Sequence, residues 1–207
     1  MNNIERLFAE AGDVQRFSRG YFRYLSVLMK NIDTDAIAAF IEELETARRQ
    51  QNTVMFVGNG GSAVTASHMA NDVGLGPRTR DYELPFRTLA LTDNVSVMTA
   101  IANDHGYDNL FVYQLRIHYK PGDKLVAISA SGNSPNVVAA AEWVKKQRGK
   151  VIGLVGFDGG KLKDICDIVV HVETPKGEYG PVEDIHMILN HLLCTWLKCL
   201  MQKQREE

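Results

Sequence analysis

The sequence predicts an α/β protein, a three-layer sandwich in which helices cover both faces of a five-stranded parallel sheet. Five short apolar segments alternate with helical segments along the chain, and this order predicts right-handed crossovers between parallel strands. Two turns rich in glycine and serine each follow a strand directly. Because ligands of such sheets bind beyond the carboxyl ends of the strands, we expect the functional site at these turns.

The composition is that of one globular unit with a full core. The 207 residues are 45% hydrophobic, and 23 basic and 25 acidic side chains give a net charge of -2 without a basic block, so nucleic-acid binding is not expected. Cys166, Cys194 and Cys199 form neither a metal-type pair nor an even disulfide set, which indicates buried thiols in a reducing compartment. Because we find no signal-peptide pattern and no apolar run of membrane-spanning length, we expect a cytoplasmic protein without membrane contact.

Residues 1–50 are predicted to form helices ahead of the first strand. Apolar residues recur at helical spacing over residues 4–30, interrupted by Gly12 and Gly20, and Asp33 or Thr34 can cap a second helix. Two helices exceed what one layer of an α/β fold needs. They either pack against another subunit or cap their own domain, and we assign them to an oligomer interface, with residues 51–207 as the α/β domain.

The remaining predicted elements alternate along the chain. Strands are predicted at 54–57, 87–91, 124–128, 151–155 and 168–172, helices at 63–70, 96–102, 110–119, 136–147 and 183–202, a helical turn at 162–166, and loops at 74–85 and 177–181. The last helix carries its apolar side chains on one face.

The first turn, GNGGS at Gly58 to Ser62, lies between a buried strand and a helix. A helix start offers free backbone N–H groups to an anion, and glycines let a phosphate approach the backbone closely. No Lys-Ser/Thr pair follows the glycines, and their spacing differs from the dinucleotide-binding pattern. The turn is predicted to cradle one phosphoryl group; an ordinary tight strand-to-helix turn is the alternative.

The second turn, SASGNS at Ser129 to Ser134, also precedes a helix. Ser134 at the N-cap with Pro135 behind it suffices to start that helix, which leaves Ser129 and Ser131 without an obvious structural task. Their hydroxyls can donate to phosphate oxygens where the helix dipole adds partial positive charge. Two such turns predict a small phosphorylated metabolite as the ligand.

The two turns, together with LTDNVSVMTAIANDHGYDNLF at residues 91–111, resemble the sugar isomerase (SIS) domain family, and most closely its phosphoheptose isomerase branch. The resemblance covers the whole chain. It implies a flavodoxin-like sheet, a phosphorylated sugar as substrate, and a homotetramer with sites at subunit boundaries. The implied reaction converts sedoheptulose 7-phosphate to D-glycero-D-manno-heptose 7-phosphate, for lipopolysaccharide, capsule or another glycoconjugate.

The resemblance also implies which residues contact the substrate. The implied set is Asn59, Gly60, Gly61, Ser62, Asn103, Asp104, Ser129, Ala130, Ser131, Ser134 and Glu183. Ala130 stands where the family usually has threonine, which removes one hydroxyl but no backbone donor.

A zinc ion is the implied cofactor, with His68, Asp72, Glu183 and His191 at the ligand positions. Asp72 stands where the branch usually has glutamate, and Glu183 where it usually has glutamine. Spacing alone places His68 and Asp72 on one helix face, as a metal pair or a surface ion pair. It does not pair Glu183 with His191, since eight residues rise about 12 Å along a helix, and Asp184 shares a face with His191 better.

An aldose–ketose isomerase moves a proton between two carbons through an enediol, so it needs a base over the carbon and an acid near the oxygens. The resemblance implies Asp72 or Glu183 as the base and His191 as the acid. Two other functions stay open: isomerisation of another phosphorylated ketose, and a non-catalytic SIS protein of the replication-initiation type.

Overall fold

Helices and strands alternate through residues 1–77 and 84–206, the part of the chain that the computed structural model describes. The helices are α1 (Asn3–Ala11), α2 (Val14–Lys30), α3 (Thr34–Gln50), α4 (Gly61–Leu75), α5 (Val95–His105), α6 (Leu110–His118), α7 (Pro135–Lys146), α8 (Gly160–Ile165) and α9 (Tyr179–Glu206). The strands are β1 (Thr53–Val57), β2 (Arg87–Ala90), β3 (Lys124–Ser129), β4 (Lys150–Phe157) and β5 (Ile168–Glu173). A 3-10 turn, Tyr107–Asn109, precedes α6.

Within those residues, five parallel strands form one sheet in the order β2-β1-β3-β4-β5. Val54 of β1 pairs with Thr88 on one side and with Lys124 on the other. The chain leaves β1 toward one edge and returns to β3 on the other side of β1. The carboxyl ends of β1 and β3 therefore form the switch point at which open α/β sheets bind ligands.

Alternate residues of β1 divide the core into two layers. Phe56 is buried in the layer that α2, α3, α4 and α9 cover, and Met55 and Val57 face the layer of α5, α6, α7 and α8. Helices thus cover both faces of the parallel sheet, which confirms the predicted three-layer fold. Phe40 and Leu44 of α3 join Phe56 in its layer, so this helix covers the sheet of its own chain.

The predicted helix over residues 4–30 is two helices, because the two glycines differ in role. Gly12 adopts a left-handed conformation with φ of 72° and ends α1. The Asp13 carboxylate then caps α2 by accepting the Arg16 N–H at 2.7 Å. Gly20 stays inside α2, where an added Cβ would lie 3.1 Å from Leu7 Cδ2, so it allows the two helices to pack closely.

Helices α4 and α9 extend into the segments that were predicted to be loops. Helix α4 includes Gly74, where an added Cβ would lie 2.5 Å from Thr88 Oγ1, so this glycine serves helix–strand packing rather than a turn. Residues 78–83 of the predicted loop 74–85 lie outside the described residues. Helix α9 begins at Tyr179, four residues before its predicted start, with Pro181 in its first turn. No helix within the described ranges has the length and apolar character of a membrane span.

Candidate active site

A cavity of about 260 Å³ lies where the two glycine- and serine-rich turns meet at the switch point of the sheet. It is lined by Asn59, Gly60, Gly61, Ser62, Ile128, Ser129, Ala130, Ser131, Ser134, Tyr179 and Glu183. The structure therefore brings together nine of the eleven residues for which substrate contact was predicted. The other two, Asn103 and Asp104, do not line it.

Glycines let the backbone of the first turn approach its surroundings closely. Gly60 has φ of 52° at the N-cap of α4, and its lack of a side chain leaves the helix start uncovered from that residue. A Cβ at Gly58 would lie 2.5 Å from the Ser62 carbonyl oxygen. The tight turn thus presents a helix N-terminus to the cavity, where the dipole favours an anion.

Three hydroxyls of the second turn converge on one point. Ser129 Oγ lies 3.4 Å from Ser131 Oγ and 3.1 Å from Ser134 Oγ. Ser134 stands at the N-cap of α7 with Pro135 behind it, but its side chain makes no capping hydrogen bond. Ser134 therefore occupies the N-cap position as predicted, but the prediction that it caps the helix is wrong for its side chain, because the hydroxyl points toward Ser129.

An amide pair joins the two turns. Asn59 Nδ2 donates to Asn136 Oδ1 at 2.8 Å, and Asn136 Nδ2 donates back to Asn59 Oδ1 at 2.9 Å. Tyr107 also donates its hydroxyl to Asn59 Oδ1, at 2.9 Å. Sequence reasoning missed Asn136, Tyr107 and Tyr179, although Asn136 follows the serine motif and Tyr107 lies within the segment 91–111 that carries the family resemblance.

Asn103 and Asp104 lie exposed in the last turn of helix α5, where Asn103 Nδ2 donates to Asp104 Oδ1 at 2.7 Å. Tyr107, three residues further on, is the residue of this segment that reaches the first turn. The predicted substrate contact of Asn103 and Asp104 stays a prediction.

Glu183 projects from the first turns of α9 into the cavity. Its carboxylate lies against Gly61, which belongs to the first turn of α4. Burial, together with the nearby charge of Asp184, raises the pKa of the Glu183 carboxyl. A carboxyl group with a raised pKa inside a cavity is a candidate for a general base or acid.

A second cluster joins α4 and α9 further along both helices. Atoms of His68, Asp72 and His191 that can ligate a metal all lie within 4.8 Å of one another. Asp72 Oδ2 is 3.1 Å from His68 Nε2 and 4.0 Å from His191 Nε2. Two imidazole nitrogens and one carboxylate oxygen are a donor set that suits a divalent transition metal such as zinc.

Glu183, the fourth predicted ligand, is not a member of this cluster among the described residues. It lies two helical turns from His191, a rise of about 12 Å, so helix geometry separates the two side chains. Asp184, which spacing alone favoured beside His191, instead accepts the hydroxyl of Tyr21 at 2.6 Å. The four predicted ligands thus divide between the cluster and the cavity.

The fold and the paired turns define a sugar isomerase domain, and residues 20–156 match the SIS domain model, so the chain belongs to the SIS domain family. A phosphoheptose isomerase from Rhodospirillum rubrum is 41% identical over 159 residues, covering 77% of this chain and 82% of that protein. A phosphoheptose isomerase from Aromatoleum aromaticum is 33% identical over 191 residues, which cover 91% of this chain and 96% of that protein. Within the family, the chain belongs to the phosphoheptose isomerase branch.

Solved structures agree with this assignment. A phosphoheptose isomerase from Neisseria gonorrhoeae superimposes with a TM-score of 0.79 at 29% identity, covering 90% of this chain and 100% of that one. The enzyme from Francisella tularensis gives the same TM-score at 25% identity, covering 89% and 96%.

Proposed function

We propose that this protein is an aldose–ketose isomerase that interconverts sedoheptulose 7-phosphate and D-glycero-D-manno-heptose 7-phosphate. Relatives named phosphoheptose isomerase, matched over most of both chains, support the reaction class. The single observation that carries the proposal is that the same two helices, α4 and α9, contribute Gly61 and Glu183 to the cavity and His68, Asp72 and His191 to the cluster, a combination that suits a phosphate and a metal. A binding protein of the replication-initiation type has no need for that combination.

The cavity accounts for the phosphate end of the substrate. The hydroxyls of Ser129, Ser131 and Ser134 converge beside the start of α4, so hydroxyl donors and the helix dipole act on the same anion. Holding the phosphate there keeps the carbon chain within reach of the catalytic groups and removes much of the entropy cost of reaction.

We assign the proton transfer to residues of α9. Glu183 is the proposed base, because it lines the cavity while Asp72 faces two histidines instead. It takes the proton from the carbon next to the carbonyl and returns it to the neighbouring carbon. His191 is the proposed acid near the two oxygens, and because it would also hold the metal it can act only through the ring nitrogen that the metal leaves free. Asp72 remains the alternative base.

His68, Asp72 and His191 would hold a zinc ion. Bound zinc would polarise the substrate carbonyl and stabilise the charge of the enediolate.

We also propose a cytoplasmic homotetramer that serves heptose synthesis for lipopolysaccharide or capsule. Exposed apolar side chains on two helices support self-association: Phe22 of α2 is 65% exposed and Trp196 of α9 is 57% exposed. Residues 1–50 are proposed to take part in the interface.

Paired variants test the roles of the two carboxylates. Glu183→Gln is expected to lose turnover by about a thousandfold or more while keeping its zinc content, since general-base catalysis contributes about 10²–10⁴. Asp72→Asn is expected to lose zinc as well as activity. Full turnover of Glu183→Gln would transfer the role of base to Asp72, and full turnover of both variants would contradict the mechanism.

A further inference from the structure

Asn190 is buried between α9 and α4, with none of its surface exposed. Its amide Nδ2 donates a hydrogen bond of 2.9 Å to Asp72 Oδ2. This is the same carboxylate oxygen that faces His68 Nε2 at 3.1 Å and His191 Nε2 at 4.0 Å. A neutral amide therefore holds the central oxygen of the His/Asp cluster from the buried side.

The other end of the amide is also held. Cys194, one turn further along α9, donates its thiol to Asn190 Oδ1, with 3.6 Å between the heavy atoms. Burial and the negative charge of Asp72 raise the pKa of Cys194 to about 12, so the thiol keeps its proton and remains a donor. The contact fixes the orientation of the amide, because an oxygen that accepts from Cys194 leaves the nitrogen facing Asp72.

We propose that Asn190, oriented by Cys194, is a positioning residue that holds the Asp72 carboxylate in the rotamer that binds the metal. This rests on the proposed metal-dependent isomerase. Asp72 needs such support, since the hydrogen bond to its other oxygen from a described residue comes from the neighbouring Asn71 Nδ2, at 3.1 Å on the exposed side. An amide can orient the carboxylate without neutralising it, so the negative charge stays available to the metal. Partners that orient metal ligands in this way contribute about 10–100-fold to metal affinity.

The test compares Asn190→Leu, which keeps the side-chain size and removes the donor, with Gln114→Met as a matched control. Gln114 is also a buried amide, but it donates to the carbonyls of Leu91 and Leu110 in the opposite layer of the core. Zinc affinity of the metal-depleted proteins is measured by competition with a chelator. We expect Asn190→Leu to bind zinc about 10–100-fold more weakly and Gln114→Met to bind it like the wild type.

Two further measurements separate positioning from general destabilisation. Cys194→Ser keeps a donor to Asn190 and is expected to retain zinc affinity, whereas Cys194→Ala is expected to lose part of it. If Asn190→Leu does not fold, this pair of variants tests the positioning role in its place. The visible spectrum of the Co²⁺-loaded protein should shift in Asn190→Leu and not in Gln114→Met. Folded Asn190→Leu with wild-type affinity and spectrum would overturn the positioning role alone. A wild-type protein that binds no zinc would overturn the metal site together with it.

Discussion

The carboxylate of Glu183 packs directly against Gly61, at the start of helix α4. A Cβ added to Gly61 would lie 2.5 Å from the carboxylate carbon, a distance that real side chains do not tolerate. The contact also shows that α4 and α9 run in the same direction, since Glu183 meets Gly61 near the start of α4 and His191 meets Asp72 near its end. One helix pair therefore carries both the cavity and the His/Asp cluster.

Gly61→Ala should displace the Glu183 carboxylate from the cavity. Because the new methyl group occupies its place, we expect kcat/KM to fall at least roughly tenfold, as about 1.4 kcal/mol of lost transition-state stabilisation corresponds to a factor of ten. Steady-state kinetics measures this, with circular dichroism to show that the fold is kept. Val64→Ala, an exposed change on the next turn of α4, serves as the control. Equal kcat/KM in Gly61→Ala and the wild type would mean that the packing is not needed for activity.

Removing a hydroxyl from the second turn should weaken substrate binding. We expect Ser131→Ala to raise KM by roughly tenfold, since a hydrogen bond to a charged group contributes about 1.5–3 kcal/mol. The effect on kcat should be smaller, because the phosphate is held alike in the ground and transition states. Ser18→Ala is the control: Ser18 does not line the cavity, and its hydroxyl donates to the Val14 carbonyl within its own helix at 2.8 Å. A loss confined to kcat would contradict a phosphate-binding role.

Buried His186 should make the protein less stable in acid. It is fully buried, its Nε2 contacts the Val155 carbonyl at 3.4 Å, and burial lowers its pKa from 6.5 to about 4. Between these two values the unfolded chain binds the proton and the folded protein does not. The contribution of His186 to the free energy of unfolding is therefore fully present above about pH 6.5. As the pH falls toward 4, the free energy of unfolding decreases by an amount on the order of 3 kcal/mol.

Urea denaturation at several pH values checks this. The slope of the unfolding free energy against pH reports how many more protons the unfolded chain binds than the folded protein. Between pH 6.5 and 4 this number should be smaller by about one in His186→Gln than in the wild type. His118→Gln, at an exposed histidine, should keep the wild-type slope. An unchanged slope in His186→Gln would show that this histidine does not control the acid sensitivity.

A buried carboxylate tethers the N-terminal helices to the start of α9. Glu178 is 2% exposed and accepts the Asn3 N–H at 2.6 Å and the Tyr24 hydroxyl at 2.5 Å. Burial and the neighbouring Glu178 raise the pKa of Tyr24 to about 12, so its hydroxyl stays protonated and donates. Tyr179, the next residue after Glu178, lines the cavity. The tether therefore connects α1 and α2 with the candidate site.

Tyr24→Phe should lower the free energy of unfolding by about 1–3 kcal/mol, because it leaves a buried carboxylate without one of its donors. Tyr119→Phe is the matched control, since Tyr119 donates to a neutral carbonyl, that of Asp123, at 3.1 Å. The control should cost less, about 1 kcal/mol. Equal losses in the two variants, measured by denaturant titration, would mean that the tether contributes nothing beyond an ordinary hydrogen bond.

The sequence predicted the sheet, and the edge at which the cavity lies, because those features depend on local patterns. The apolar strands and the glycine- and serine-rich turns at Gly58 and Ser129 are each continuous in sequence. The rules of parallel-sheet topology then bring the carboxyl ends of the strands, and the turns that follow them, to one edge of the sheet. Helix ends were less predictable. Gly12 and Gly74 look alike in sequence, yet one ends a helix and the other packs against a strand.

The side chains of the candidate site depend on contacts between distant segments, and the sequence alone does not specify these. Because α9 packs against α4, His191 lies beside His68, whereas Glu183 lies against Gly61 and outside the His/Asp cluster. Asn190 looks like an ordinary polar residue until the packing shows that its amide reaches Asp72. Patterns within one helix predicted the pair His68 and Asp72, and no pattern predicted the third partner without the family resemblance.

The most direct test of the central claim is an NMR time course of the purified protein with sedoheptulose 7-phosphate, first with zinc and then with a chelator. We predict that an aldoheptose phosphate accumulates with zinc and that its formation stops when the chelator is added. Product formation that ignores the chelator would contradict the metal's role and leave the isomerisation to Glu183 and His191. No product under either condition would contradict the proposed reaction.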